Sequence, residues 1–208
     1  MQQEPLIKIC GLSRKEDVYA VNIVLPDFIG FIFAESRRRV TLETAVELKR
    51  ELNPSIIRVG VFVNESIENI EKIFNAGVID MVQLHGDEDD GYIKRLKAAI
   101  WIPVIKAVPM GSDAPPLSTY EADYILLDAY DSQRRGGSGR TFDWGLIKNA
   151  ALMLKKPLFL AGGLNESNIA LAAKLKPFCL DINSGVESNG VKDREKIIRI
   201  VRLVRGES

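Results

Sequence analysis

Eight short apolar runs alternate with segments of helical periodicity along this chain, and that alternation limits the folds open to it more than any single motif does. The runs cover residues 6–11, 28–33, 56–63, 80–84, 102–107, 124–127, 157–160 and 178–182. Each is too short for a typical helix, is apolar, and is bounded by Pro, Gly or polar residues, so each reads as a strand. Between them, apolar residues recur at helical spacing. The first such segment has Val18, Val21 and Val24 behind a Ser13 N-cap and ahead of Pro26; the others cover residues 41–52, 66–74, 87–98, 143–154, 166–175 and 193–204. Ser66 caps the third of them and Gly77 stops it. The connection after the fifth strand breaks the pattern. It contains Pro109, Gly111, Pro115 and Pro116, a poor helix, and is read as mostly loop.

Strands apolar on both faces and alternating with helices form parallel sheets joined by right-handed crossovers. Eight units in 208 residues average about 26 residues each, near the lower end of the size range for a (β/α)8 barrel. A doubly wound open sheet is the alternative. The count of eight, and the lack of a Gly-x-Gly-x-x-Gly turn after the first strand, favour the barrel. The expectation is an α/β chain forming one (β/α)8 TIM barrel over residues 1–208. Lys plus Arg and Asp plus Glu each number 28 and are interspersed, which disfavours nucleic acid and anionic membrane as partners. With no basic leader and no apolar run of bilayer length, a cytoplasmic location is expected. Two cysteines, Cys10 and Cys179, and the single histidine, His85, are too few for a disulfide framework or a structural zinc site, so no metal is expected.

In a barrel of this kind the chemistry gathers at the C-terminal ends of the strands. Taken in order, those ends carry Cys10, then Ser36-Arg37-Arg38-Arg39, Asn64, Gln83 with His85, Lys106, Asp128, Ala161-Gly162-Gly163, and Asn183-Ser184-Gly185. A free Cys in a strand is more often an inert small hydrophobe than a reactive group. Its place at a strand end beside Gly11 moves Cys10 toward function, whereas Cys179, inside the eighth run, reads as core. Asp128 stands three strand steps round the barrel from Cys10, and an acid and a base on facing walls suit proton transfer at two points of one substrate. Each glycine turn alone is as readily explained by chain reversal. Together, after strands seven and eight, they aim backbone N–H groups at the place where such barrels hold phosphate. One of the three arginines can clamp a carboxylate, His85 can be structural or catalytic, and Lys106 can form a Schiff base only if desolvated.

The ordered set of motifs resembles the phosphoribosylanthranilate isomerase family. It comprises Lys8-Ile9-Cys10-Gly11, Arg58-Val59-Gly60-Val61-Phe62-Val63-Asn64, Gln83-Leu84-His85-Gly86, Leu126-Leu127-Asp128, Gly136-Gly137-Ser138-Gly139-Arg140-Thr141-Phe142-Asp143-Trp144, Ala161-Gly162-Gly163-Leu164 and Asp181-Ile182-Asn183-Ser184-Gly185-Val186-Glu187. The resemblance implies an Amadori rearrangement of N-(5-phosphoribosyl)anthranilate to 1-(2-carboxyphenylamino)-1-deoxyribulose 5-phosphate in tryptophan biosynthesis. It makes Asp128 the general acid and Cys10 the general base, and implies substrate contacts from Arg38, Gln83, His85 and Asp181. Phosphate would be held by Gly137, Gly139, Gly162, Gly163, Ser184 and Gly185, with 136–139 in a mobile covering loop. Many members have Ser-Pro-Arg where this chain has Ser36-Arg37-Arg38, which leaves Arg37 and Arg38 both open as the inward arginine. No cofactor is implied; the partner is a phosphorylated aminosugar carrying anthranilate, and the protein a monomer or homodimer. The aminoaldose isomerase of histidine biosynthesis ranks lower, since its first strand ends in aspartate and its half-barrels repeat. A barrel that only binds a phosphorylated ligand would leave Cys10 and Asp128 incidental.

Overall fold

The computed structural model describes residues 4–109, 121–128 and 155–207. The loop expected after the fifth strand, the helix expected at 143–154, and Gly137 and Gly139 lie outside the described residues.

Eight parallel strands close on themselves in sequence order. They are β1 (Leu6–Cys10), β2 (Phe28–Ile32), β3 (Ile57–Phe62), β4 (Met81–Leu84), β5 (Val104–Pro109), β6 (Tyr124–Asp128), β7 (Leu158–Ala161) and β8 (Cys179–Ile182). Register between β1 and β8 sets Lys8 beside Asp181 and Ile9 beside Ile182, which completes the circle. The helices among the described residues are α1 (Lys15–Val24), α2 (Leu42–Glu51), α3 (Ile67–Asn75), α4 (Asp90–Ala99), α5 (Ile169–Lys174) and α6 (Arg194–Arg205).

Strand alternation splits the apolar residues into two layers. Ile7, Ile9, Ile29, Phe31, Phe62, Leu84, Leu160 and Ile182 face outward into a shell packed under the helices. Phe28, Val59, Met81, Ile105, Leu126, Phe159 and Cys179 face inward, with Leu6, Tyr124 and Phe178 against them. Ring centroids of Phe28 and Tyr124 lie 5.5 and 5.6 Å from that of Phe159, so aromatic rings plug the barrel interior from below. The C-terminal mouth is the end of the barrel left open to a ligand among the described residues.

Several helix starts differ from the sequence expectation for one physical reason, a side chain that takes up backbone N–H groups ahead of the helix. Thus α1 begins after Arg14, not Ser13: the buried Asp17 carboxylate accepts from the backbone N–H of Ser13 at 2.9 Å and Arg14 at 3.1 Å. At α4 the cap is Asp89, because the 87–88 segment is committed elsewhere. Asp87 N–H donates to Asn64 Oδ1 at 2.8 Å, and Glu88 accepts from Asn64 N–H at 2.7 Å. An Asn165 side-chain turn, accepting from Ser167 N–H at 2.9 Å, delays α5. After β8 come a 3₁₀ turn (Ser184–Val186) and a hairpin, β9 (Glu187–Ser188) with β10 (Val191–Lys192), that the periodicity does not predict. Asn189-Gly190, at φ 52° and 82°, makes its turn.

Candidate active site

Inward-facing positions at the strand ends converge on one cavity of about 440 Å³, within the size range of small-molecule sites. Cys10, Arg38, Gln83, His85, Asp128, Gly162, Gly163, Asp181 and Ser184 all line it, together with an apolar side formed by Ile32, Ala34, Val61 and Val63. The apolar side was not read from sequence, although each of its residues sits in or just beyond a strand.

Cys10 is 4% exposed. Its sulfur has room because β2 carries Gly30 opposite it; a Cβ there would come within 2.6 Å of Sγ. Beneath the sulfur lies Lys8, fully buried, whose Nζ donates to Asp181 Oδ2 at 2.7 Å and Gln83 Oε1 at 2.8 Å. Gln83 Nε2 lies 2.9 Å from His85 Nδ1, and His85 Nε2 lies 3.4 Å from Asp128 Oδ2. A row of polar side chains therefore crosses the site from Asp181 to Asp128, and Lys8 is the member that sequence reading passed over. Burial pushes the Cys10 thiol up; Lys8 and Lys192 pull it down, Asp181 pushes with burial, and the net shift is upward. Burial would lower the Lys8 ammonium, but Asp181 and Cys10 more than reverse this, and it stays firmly charged. Asp181 Oδ1 is buried with no hydrogen-bond partner among the described residues.

The rim is built around Glu187. Arg38 donates Nε to Oε1 at 2.6 Å and Nη2 to Oε2 at 2.8 Å, Arg37 adds Nη2 to Oε2 at 2.6 Å, and Lys192 adds Nζ to Oε1 at 2.9 Å. The Arg38 side chain is 17% exposed and lines the cavity, whereas that of Arg37 is 57% exposed. Arg39 pairs with Glu35 on the surface at 3.0 Å. Of the three arginines, Arg38 is the one turned to the site.

Gly162 and Gly163 both have left-handed φ, 95° and 63°. Two such residues in succession are inaccessible to most side chains, and both line the cavity. Gly185 serves differently: it lets the loop after β8 lie directly on the Leu164 carbonyl, which a Cβ would overlap. Lys106 is also not where the strand-end reading put it. It falls between Ile105 and Ala107, both inward, and so points out of the barrel, bonded to Glu88 at 2.9 Å and the Gly86 carbonyl at 2.5 Å. Its ammonium braces the β4 loop. Asn64 likewise ties the loops after β3 and β4 together. Cys179 is fully buried, its thiol pushed well up by burial, as a core residue's would be. Among the described residues no group of three or more His, Cys, Asp or Glu is placed to hold a metal ion, and no helix is long and apolar enough to cross a membrane.

The site thus offers a buried thiol and a carboxyl on facing walls, a guanidinium beside an apolar wall, and a double-glycine turn after β7. The family model described as N-(5'phosphoribosyl)anthranilate isomerase matches residues 7–203. The chain is 50% identical over 202 residues to an N-(5'-phosphoribosyl)anthranilate isomerase of Endomicrobium trichonymphae, covering 97% of this chain and 98% of that one. A crystal structure of phosphoribosyl anthranilate isomerase in complex with reduced 1-(o-carboxyphenylamino)-1-deoxyribulose 5-phosphate superimposes with a TM-score of 0.80 at 32% identity, covering 97% of this chain and 99% of that one. A structure of monomers generated from the dimeric Thermotoga maritima enzyme gives 0.78 at 31% identity, with coverage of 97% and 99%.

Proposed function

The chain belongs to the N-(5'-phosphoribosyl)anthranilate isomerase family, and from that premise we propose that Asp128 and Cys10 are the acid and the base of its reaction. The protein is an isomerase of tryptophan biosynthesis, carrying out an Amadori rearrangement as an intramolecular oxidoreductase. Asp128 protonates the furanose ring oxygen, and the C1–O bond breaks to leave a protonated Schiff base. Cys10, as thiolate, then takes the C2 proton, and the electron pair moves into the C1–C2 bond to give an enolamine that tautomerises to the ketone. Electrons stay within the substrate, so no cofactor enters. The Schiff-base cation also favours the nearby thiolate at the step that needs it. The observation that carries this reading is that a buried thiol and a carboxyl line one cavity from facing walls.

The apolar wall of Ile32, Ala34, Val61 and Val63 suits the anthranilate ring, and Arg38 its carboxylate. Amides at Gly162, Gly163, Ser184 and Gly185 suit the phosphate, joined by Gly137 and Gly139. Gln83 and His85 lie along the sugar, and Asp181 Oδ1 can accept from a sugar hydroxyl. The reading extends to one catalytic domain over residues 1–208, to a cytoplasmic enzyme, and to a monomer or a homodimer like the Thermotoga maritima relative.

The test generates phosphoribosylanthranilate in place from anthranilate, phosphoribosyl pyrophosphate and a synthase, then follows loss of its fluorescence. Wild-type protein clears it rapidly; Asp128→Asn and Cys10→Ser each slow clearance about 10²- to 10⁴-fold, the usual worth of one general acid or base, while still binding the reduced product analogue. Wild-type rates in either variant would remove that residue from its role.

A further inference from the structure

The donors and acceptors along the polar row admit one consistent proton assignment. Lys8 is an ammonium with protons only to give, buried and held in charge by Asp181. The oxygen of Gln83 therefore faces it at 2.8 Å, and the Gln83 NH₂ group faces His85 Nδ1 at 2.9 Å. Reversing the amide would press NH₂ against a buried ammonium. An amide NH₂ offers no lone pair, so Nδ1 must accept and carry no proton, and the neutral ring has its proton on Nε2, the nitrogen 3.4 Å from Asp128 Oδ2.

We propose that Lys8, acting through Gln83, locks His85 in the Nε2–H tautomer and thereby turns an N–H, not a lone pair, toward the Asp128 carboxyl. Lys8 is then a positioning residue for the acid although it lies beside the base. The catalytic half of this inference rests on Asp128 being the acid; the tautomer does not.

His85 is the only histidine in the chain, so ¹⁵N-histidine labelling gives one imidazole and an unambiguous spectrum. At about pH 8, wild type is expected to show a protonated, pyrrole-like Nε2 and a bare, pyridine-like Nδ1. Gln83→Glu is nearly isosteric, keeps the Lys8–Asp181 pair and places an acceptor against Nδ1; the proton should move to Nδ1. Lys8→Met frees the amide to turn, and the two nitrogens should average. With these changes kcat should fall about tenfold or more. A pyrrole-like Nδ1 in wild type, or an unchanged pattern in Gln83→Glu, overturns the lock. A switched tautomer with unchanged kcat overturns its link to Asp128. The expected tautomers in a protein without isomerase activity would leave the lock standing and refute the functional reading instead.

Discussion

Replacing Glu187 by glutamine keeps the shape of the rim and removes the negative charge on which four donor contacts from Arg37, Arg38 and Lys192 converge. Burial alone would raise the Glu187 carboxyl, but hydrogen bonds from Arg38 and Lys192, with the charge of both, bring it from its ordinary 4.5 down to about 2. At about 1.36 kcal/mol per pH unit that gap corresponds to about 3 kcal/mol. Arg37 is 57% exposed, so the cluster is partly open to water, and screening leaves on the order of 1–2 kcal/mol. A carboxyl with a depressed folded-state pKa contributes stability that is complete above its unfolded pKa and is withdrawn as pH falls toward the folded one. The window here runs from 4.5 down to about 2. Urea unfolding at about pH 7 should place Glu187→Gln about 1–2 kcal/mol below wild type, and at about pH 3 the difference should shrink by roughly half, because below 4.5 the unfolded chain takes up a proton that the folded carboxyl does not. An equal difference at both pH values would mean that packing, not charge, is lost; no difference at neutral pH would refute the worth assigned to the cluster.

Two further outcomes follow from the site. The Cys10 thiol is pushed up by burial and pulled down in part by Lys192, so kcat/KM should climb with pH on the alkaline side, and Lys192→Met should move that limb to higher pH; an unmoved limb would detach Lys192 from the base. Gly185→Ala sets a Cβ against the Leu164 carbonyl and must part the loops after β7 and β8. It should cost about 1–3 kcal/mol in thermal or urea unfolding and weaken the reduced product analogue in calorimetric titration, and unchanged affinity would take that loop contact out of phosphate binding.

The barrel is legible in sequence because each strand is buried on both faces, so eight apolar runs survive as eight visible signals. The helix starts are less so. Asp17 and Glu88 lie past the residues whose N–H groups they accept, and a buried carboxylate that reaches back shifts a start without changing the periodicity behind it. The hairpin after β8 did have a signal, Asn189-Gly190, but its strands are two residues each, too short to show alternation.

Lys8 and Lys106 separate what one strand's sequence can yield from what it cannot. Each is a lysine inside an apolar run. Counting by twos places Lys8 with Leu6 and Cys10, facing in, and Lys106 between the inward Ile105 and Ala107, facing out. The parity is in the sequence, but because each run is apolar on both faces the inward parity comes from the structure, and it ranks Lys8 above Lys106 as a site residue. The partners are another matter. Lys8 meets Asp181 because β1 and β8 pair in the register that sets those two residues side by side, and it meets Gln83 across the barrel interior. That register belongs to the closed circle of strands and to no one of them. A buried lysine is tolerable only with such partners in place, so the polar row from Asp181 to Asp128 exists only once the last strand has docked against the first.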